Sequence, residues 1–536
     1  MEASAESLHA LETVVLLLLV MVAAFAVIAH RLKVPYPIVL VIAGLVLSFV
    51  PRMPRIALNP NLVFAIFLPP LLYASAWNVS WRDFRRNIVV ITLLAVGLVG
   101  FTVWGIAEFS DRFIEALDWK AGFLLGAVVS TTDAIAATSV ARSVGLPRRI
   151  VDILEGESLL NDATGLLALE IGIRLLERGE LPSLSEGIAR LIYLIVAGLG
   201  IGLLLGVLVG WIERFIDNGP VEMVLSLVVP YAAYLAGEQA KASGVLAVVA
   251  CGLYMSRQSA KFFSPEVRLQ VTGAWDAMTF VLNGMVFAMI GLQMPYVLAG
   301  IRGGYSMTTL VVDGAVFSVM LIALRMVWVA PAVAVANFVG KWRHREKISQ
   351  RETFVIGWTG MRGVIALAAA VSVPATINGQ PFTSRNLIIF LAFAVILVTL
   401  VLQGLTLPFV IRVLGLAGHS GMEPEEQYAR KVALREAIRY LEEQKTQCEA
   451  GESHLYDDLI DYYEHRLRVL GEEGTEPSKK ALETARHLSK LAKGAIKRER
   501  STVIGLRDQG AISDDVLRTV ERELDLEESR FRVKKV

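Results

Sequence analysis

The sequence predicts an all-α polytopic membrane protein that carries a helical cytosolic domain at its C-terminus. Of the 536 residues, 54% are hydrophobic and 19% are charged, whereas soluble domains are roughly 45–50% apolar and about 25% charged. Residues 1–418 hold 56 charged residues, and the much shorter segment 419–536 holds 47. We therefore predict a transmembrane domain over residues 1–416 and a cytosolic domain over residues 417–536.

The same composition disfavours several other classes of protein. A formal net charge of +1 argues against a basic nucleic-acid binder, and two cysteines argue against a secreted disulfide scaffold. The sequence contains no P-loop, CxxC or HExxH motif, which argues against an ATP-driven pump or a metalloprotease. We expect no cofactor and no nucleic-acid partner, only membrane lipids around the protein.

A membrane-spanning helix needs roughly 20 mostly apolar residues, and thirteen segments of the chain satisfy or approach this requirement. The predicted spans are residues 12–30, 35–50, 62–79, 88–107, 119–141, 150–173, 188–212, 220–237, 242–256, 273–292, 306–339, 353–374 and 386–414.

The loops between the spans differ in positive charge. Odd-numbered loops carry 17 Lys and Arg residues, and even-numbered loops carry 10. Because positive charge concentrates in cytoplasmic loops, we predict a multi-pass plasma-membrane protein with an external N-terminus and a cytoplasmic C-terminus. The tail should form helices over about 424–448, 453–470, 477–500 and 511–530, with Gly471, Gly474, Gly505 and Gly510 as breaks. A solvated bundle without a ligand and a regulatory domain are equal alternatives for it.

Ionisable residues in the middle of a membrane cost roughly 2.5–3.5 kcal/mol each on insertion scales, so those that occur need a reason. They concentrate in residues 130–139, in residues 155–164 and at two isolated arginines, Arg325 and Arg362. Asp133 and Asp162 have no basic residue within one helical turn, which favours a functional role for both. Glu157, Arg325 and Arg362 are better explained as members of helix-fixing ion pairs.

If residues 155–164 form a helix, Ser158 and Asp162 share one face, whereas Glu157 and Asn161 share another. One acid can then be held in an ion pair while the other faces a cavity. Oxygen ligands suit a hard monovalent cation such as Na⁺, Li⁺ or K⁺, and burial disfavours the charged form of a carboxylate. A proton and a cation would then compete for the same carboxylate.

Predicted spans five and twelve are unlike ordinary lipid-facing helices. Hydroxyl side chains at 130–132 compete for backbone hydrogen bonds in span five, and three glycines between 357 and 363 weaken span twelve. Each is the fifth span of a six-span half, 1–6 or 8–13. Interrupted helices at corresponding positions predict two inverted repeats with a transport site where the interruptions cross.

The run GlyGluSerLeuLeuAsnAsp at 156–162 and the run GlyMetArgGly at 360–363 resemble two signatures of the sodium/proton exchanger type of monovalent cation/proton antiporters. The resemblance covers essentially residues 12–415, and the tail is similar to that of bacterial members. It implies a homodimer in which a core domain moves like an elevator against a fixed dimerisation domain.

The resemblance also implies a role for each polar residue. Asp162 would be the carrier carboxylate, and Asp133, Ser158 and the Thr132 backbone would help to bind the monovalent cation. Glu157 would pair with Arg325. Asn161 would support that pair, and Arg362 would lie beside the crossing of spans five and twelve. The predicted reaction is electroneutral exchange of Na⁺, Li⁺ or K⁺ for H⁺.

Two other functions were weighed against a Na⁺/H⁺ antiporter. A K⁺/H⁺ antiporter would need the same residues, because the types of ligand do not fix the choice of cation. A gated monovalent cation channel would need a selectivity filter or a ring of charges, and the sequence shows neither pattern. An intramembrane enzyme is disfavoured because none of the seven histidines lies in the middle of a predicted span.

Overall fold

A computed structural model of the chain describes residues 2–32, 34–50, 63–180, 183–216, 218–301, 306–341, 347–418, 424–446, 453–470, 479–509, 511 and 514–530. The chain divides into two compact units, Met1–His419 and Ser420–Val536.

The first unit is almost entirely helical. Its helices are α1 (Glu2–Leu32), α2 (Tyr36–Leu47), α3 (Leu68–Asn78), α4 (Trp81–Thr92), α5 (Val99–Phe113), α6 (Trp119–Ser130), α7 (Ala134–Val144), α8 (Arg148–Arg178), α9 (Leu184–Glu213), α10 (Gly219–Gln239), α11 (Gly244–Phe262), α12 (Pro265–Leu292), α13 (Met294–Ile301), α14 (Met307–Lys341), α15 (Gln350–Trp358), α16 (Val364–Ser372), α17 (Arg385–Val398) and α18 (Gly404–Val413).

Three π-helical turns belong to these helices. Val63–Phe67 precedes α3, Leu93–Leu98 joins α4 to α5, and Thr399–Gln403 joins α17 to α18. The two joining turns make one long helix from α4 and α5 and another from α17 and α18.

Seven helices in the described part of the chain are long and apolar enough to cross a membrane, and the bent pair α6–α7 is an eighth candidate. The multi-pass character that the sequence predicts is confirmed. The other five predicted spans fall on helices that are short, broken or rich in polar residues, namely α2, α3, α8, α11 and the pair α15–α16. The total of thirteen passes therefore stays a prediction.

Side chains at the ends of several helices satisfy the first backbone amides. Asp118 accepts a hydrogen bond from the Ala121 amide at 2.9 Å before α6. Ser183 and Ser349 begin α9 and α15 as capping boxes with a glutamate three residues later. These serine caps fix where α9 and α15 start.

A small hairpin, β1 (Thr376–Ile377) and β2 (Gln380–Pro381), was not predicted. Asn378 and Gly379 form its turn, with φ angles of 50° and 78°. An Asn-Gly pair is the strongest short-range hairpin signal, because its turn needs two positive φ angles. The Asn-Gly dipeptide is present in the sequence, but the two strands that flank it are too short to show a periodic pattern.

The second unit contains α19 (Pro424–Lys445), α20 (Ser453–Val469), α21 (Lys479–Asp508) and α22 (Asp514–Arg530). Arg500 on α21 donates to Asp525 at 2.7 Å and to Glu528 at 3.0 Å on α22. The predicted break at Gly505 is wrong, because α21 continues through it to Asp508. The predicted breaks at Gly471, Gly474 and Gly510 lie outside the described residues. A single glycine costs a helix only about 1 kcal/mol relative to alanine, which flanking helix formers can offset.

Candidate functional site

Two helix interruptions meet inside the first unit. Between α6 and α7 the chain is extended at Thr131, whose φ and ψ angles are −68° and 140°, and the two helices are bent by 40°. Between α15 and α16 the helical hydrogen bonding stops at Trp358 and resumes at Val364. The amide of Asp133 donates to the carbonyl of Met361 at 2.9 Å, which joins the two interruptions directly.

Glycine permits this close approach. A Cβ atom on Gly363 would lie 2.6 Å from Cγ of Asp133, and one on Gly360 would lie 2.9 Å from Nε of Arg325. Both distances are far shorter than a carbon can tolerate. The glycines that weaken the helix at residues 357–363 therefore also make room for the groups packed against it.

Arg362 is 1% exposed and lies at the crossing. Its Nε donates to the Val129 carbonyl at 2.6 Å, and Nη1 donates to the Gly360 carbonyl at 2.5 Å. The guanidinium thus satisfies carbonyl groups near the C-terminal ends of α6 and α15, where helix dipoles favour positive charge. Its side-chain partners in the described part of the chain are backbone carbonyls, so there it stabilises the crossing without the carboxylate partner that the sequence favoured.

Asp133 lies at the same crossing, at a helix N-terminus, where the helix dipole is positive. Its Oδ1 accepts a hydrogen bond from the Ile135 amide at 2.8 Å, which caps the N-terminus of α7. The amide of Ala134 donates to the Ser158 hydroxyl at 3.3 Å. Arg362 and Asp133 therefore compensate the negative and the positive helix ends, respectively, within one small volume.

Glu157 and Arg325 form a buried, bidentate ion pair. Two guanidinium nitrogens of Arg325 donate to the two carboxylate oxygens of Glu157 at 2.5 and 2.8 Å, and the two side chains are 2% and 1% exposed. Arg325 also donates to the carbonyl of Ile356 at 3.0 Å. The pair ties α8 to α14 and to the end of α15, and it neutralises the Glu157 charge.

Thr132 connects the ion pair to the neighbouring side chains. Its hydroxyl donates to Glu157 at 3.1 Å and accepts a short hydrogen bond from the Asn161 amide. Its carbonyl accepts a hydrogen bond from the Ser158 hydroxyl at 2.9 Å. Asn161 thus supports the Glu157–Arg325 pair through its hydrogen bond to Thr132.

Asp162 faces the other way, as the helical spacing predicts. It is 2% exposed, and its Oδ1 accepts no hydrogen bond from any residue that the structure describes. It lines a cavity of about 80 Å³ together with Asp133, Ser158 and Thr132. The same cavity is lined by the first residues of α7 and α16, whose helix dipoles favour negative charge.

Two further polar residues near this cavity were missed by sequence reasoning. Asn283 of α12 lines the cavity, and the Tyr36 hydroxyl hydrogen-bonds with Asn283. A lone amide in the middle of a predicted span was a usable signal for Asn283. Tyr36 gave no signal, because a tyrosine at the start of a span is also what a membrane interface favours.

The fold and the site together define a polytopic membrane transporter with a buried carboxylate at the crossing of two broken helices. The model of the sodium/hydrogen exchanger transmembrane family matches residues 15–413. The chain belongs to this family, and it is a membrane-spanning cation/proton antiporter. The resemblance found in the two sequence signatures is confirmed.

Individual proteins agree with this assignment. The Na⁺/H⁺ antiporter ApNhaP of Aphanothece halophytica is 33% identical over 415 residues, covering 76% of this chain and 75% of that protein. An uncharacterised Na⁺/H⁺ exchanger of Mycobacterium tuberculosis is 33% identical over 529 residues, covering 96% of this chain and 95% of that protein. The solved structure of the sodium proton antiporter MjNhaP1 from Methanocaldococcus jannaschii has a similar fold, with a TM-score of 0.57 and 22% identity, and covers 76% of this chain and all of that one.

Proposed function

We propose that the protein exchanges Na⁺ for H⁺ one for one at Asp162. The observation that carries this proposal is that Asp162 is buried, keeps an oxygen without a hydrogen-bond donor among the described residues, and faces a cavity shared with Asp133 and Ser158. A buried carboxylate without a basic partner must be neutralised by a proton or by a cation. Competition between the two for one carboxylate produces obligatory exchange.

The charges around the cavity support electroneutral exchange. The charge of Glu157 is already compensated by Arg325, and Oδ1 of Asp133 is used as a helix cap. Of Glu157, Asp133 and Asp162, Asp162 is then the carboxylate available for exchange, with oxygen ligands from Ser158, Thr132 and Asp133 nearby. One carboxylate carries either one proton or one monovalent cation, so no net charge crosses the membrane.

We further propose alternating access of the elevator type, with thirteen passes in two inverted repeats and a homodimeric assembly. The joining of the two helix interruptions through Asp133 and Met361 supports this proposal, because the crossing can move as a rigid body. The N-terminus would lie outside the plasma membrane and the domain from about residue 417 onward in the cytosol, where it regulates exchange or stabilises the dimer. Removing residues 420–536 tests the role of this domain: the pH dependence of exchange and the dimerisation of the truncated protein are compared with those of the full chain.

The central experiment uses purified protein in proteoliposomes that contain a trapped pH-sensitive dye. Addition of Na⁺, Li⁺ or K⁺ on one side should move protons in the opposite direction, and the relative rates decide which cation is used. Asp162→Asn should abolish the signal, while Glu115→Gln, at an exposed carboxylate, should leave it unchanged. Exchange by Asp162→Asn at the wild-type rate would refute the mechanism, and ion fluxes of channel magnitude would favour a gated channel.

A further inference from the structure

The cavity beside Asp162 is lined by two groups of helices. One group belongs to the crossing, namely the interruption before α7, part of α8 and the start of α16. The other group, α3 and α12, contributes mostly apolar side chains such as Leu68 and Phe287. The polar side chains that this second group adds to the lining are Ser75 and Asn283. Polar groups in an otherwise apolar wall of a cation cavity need an explanation.

Asn283 is the more deeply buried of these two polar residues. It is 8% exposed, whereas Ser75 is only half-buried. At the start of α2, the Tyr36 hydroxyl hydrogen-bonds with Asn283 and lies within electrostatic range of Asp133. Tyr36 therefore links Asn283 to the end of the cavity where Asp133 lies.

Tyr36 is itself held in place by α12. Its ring packs against Phe280, with the two ring centroids 5.2 Å apart. Phe280 precedes Asn283 by three residues and so projects from the same face of the helix. The backbones of α2 and α12 also approach closely, since a Cβ atom on Gly44 would lie 3.1 Å from Cα of Gly291. These contacts fix Tyr36 relative to α12, and the hydrogen bond from Tyr36 then fixes the side chain of Asn283.

The chemistry of an asparagine side chain suits a cation ligand. An amide has a carbonyl oxygen with two lone pairs and an NH₂ group with two donors. The Tyr36 hydroxyl can accept from one of these donors, which leaves the carbonyl oxygen for a ligand in the cavity. Carbonyl and carboxylate oxygens are the ligands that hard cations prefer. The size of a cavity and the number and field strength of its oxygens decide which cation binds.

We propose that the amide oxygen of Asn283, positioned by Tyr36, is a further ligand of the transported cation. This inference rests on the proposed exchange at Asp162 and adds a ligand from outside the crossing. An amide oxygen is neutral and does not titrate, so it binds the cation without competing for the proton. Asn283 therefore sets the affinity and the preference for the cation, whereas Asp162 sets the coupling to the proton.

Exchange kinetics of the full-length protein in proteoliposomes test this role. If the contact with the cation is as strong as a hydrogen bond to a charged group, Asn283→Leu should raise the KM for Na⁺ about tenfold or more. The maximal rate should change little, and the factor in KM should be the same at each pH. The ratio of the KM values for K⁺ and Na⁺ should also change.

Tyr36→Phe tests the positioning of the amide. It should raise the KM for Na⁺ by less than Asn283→Leu does, and it should add nothing in the Asn283→Leu background. Asn78→Leu is the matched control, because Asn78 is exposed and donates within α3 to the Ala74 carbonyl at 2.9 Å. The control should have the kinetics of the wild type.

An unchanged KM for Asn283→Leu would overturn the ligand role, and so would a lower maximal rate with an unchanged KM. Asn283→Asp keeps an oxygen at the same position and should hold the KM near the wild-type value at alkaline pH, so the proposal stays testable if the leucine variant fails to fold. A KM for Asn283→Asp as high as that of Asn283→Leu would contradict the proposal. If exchange at Asp162 were itself wrong, Asp162→Asn would still exchange Na⁺, so the two failures are distinguishable.

Discussion

The amide of Asp133 donates a hydrogen bond to the carbonyl of Met361 at 2.9 Å, and through this bond the two broken helices share one junction. The side chain of Asp133 packs against Gly363 at the same point. Asp133 thus supplies the backbone contact and the helix cap and is also a proposed cation ligand, so small changes there should affect transport strongly.

Gly363→Ala should disable the crossing. The new Cβ would lie 2.6 Å from Cβ and Cγ of Asp133, and overpacking of this kind typically costs about 1–3 kcal/mol. We expect a lower melting temperature and a large loss of exchange in proteoliposomes. Gly100→Ala is the matched control, because nothing lies within 4 Å of its added Cβ; equal behaviour of the two variants would contradict the packing argument.

Breaking the buried ion pair should destabilise the protein more than losing both partners together. Glu157→Gln leaves Arg325 buried without its partner, and such a change typically costs about 3–5 kcal/mol. The double variant Glu157→Leu with Arg325→Met should recover part of this loss, as measured by thermal unfolding in detergent. Arg112→Gln, in an exposed pair with Glu108 at 3.3 Å, should change stability by less than about 1 kcal/mol.

Ser158→Ala should weaken cation binding more than it weakens folding. The hydroxyl joins the Thr132 carbonyl at 2.9 Å to the Ala134 amide at 3.3 Å beside Asp162. If the Ser158 hydroxyl binds the cation with a strength similar to that of a hydrogen bond, about 1 kcal/mol, its removal corresponds to roughly a fivefold higher KM for the cation. Initial exchange rates over a range of sodium concentrations measure this, with Ser139→Ala as the control, because the Ser139 hydroxyl donates within α7 to the Ala136 carbonyl at 2.8 Å. An unchanged KM would remove Ser158 from the site.

Protons and Na⁺ should compete for Asp162, and this competition should be measurable in the exchange kinetics. Only the ionised form of Asp162 can bind Na⁺, and the protonated form becomes more populated as pH falls. The apparent KM for Na⁺ should therefore rise as pH falls, while the maximal rate at saturating Na⁺ changes less. Rates measured at equal pH on both sides of the membrane test this directly; a KM independent of pH would show that the proton binds elsewhere.

Much of the site could be read from the order of the residues. The helical spacing of residues 157, 158, 161 and 162 places the paired acid and the free acid on different faces. In the structure Glu157 forms an ion pair with Arg325, and Asp162 lines the cavity. Periodicity works here because α8 is one regular helix over the whole signature. It failed for Asn283 and Tyr36, since their relation to the site depends on how α12 and α2 pack.

The sequence alone determined the multi-pass helical class, the positions of the two helix interruptions and the acids that need a partner, because these follow from local hydropathy and helical periodicity. Only the tertiary structure decided which partners they find. Arg362 is satisfied by backbone carbonyls, and Glu213 lies buried without a hydrogen-bond donor among the described residues. Burial and hydrogen bonding between distant helices are properties of packing, which no local pattern encodes.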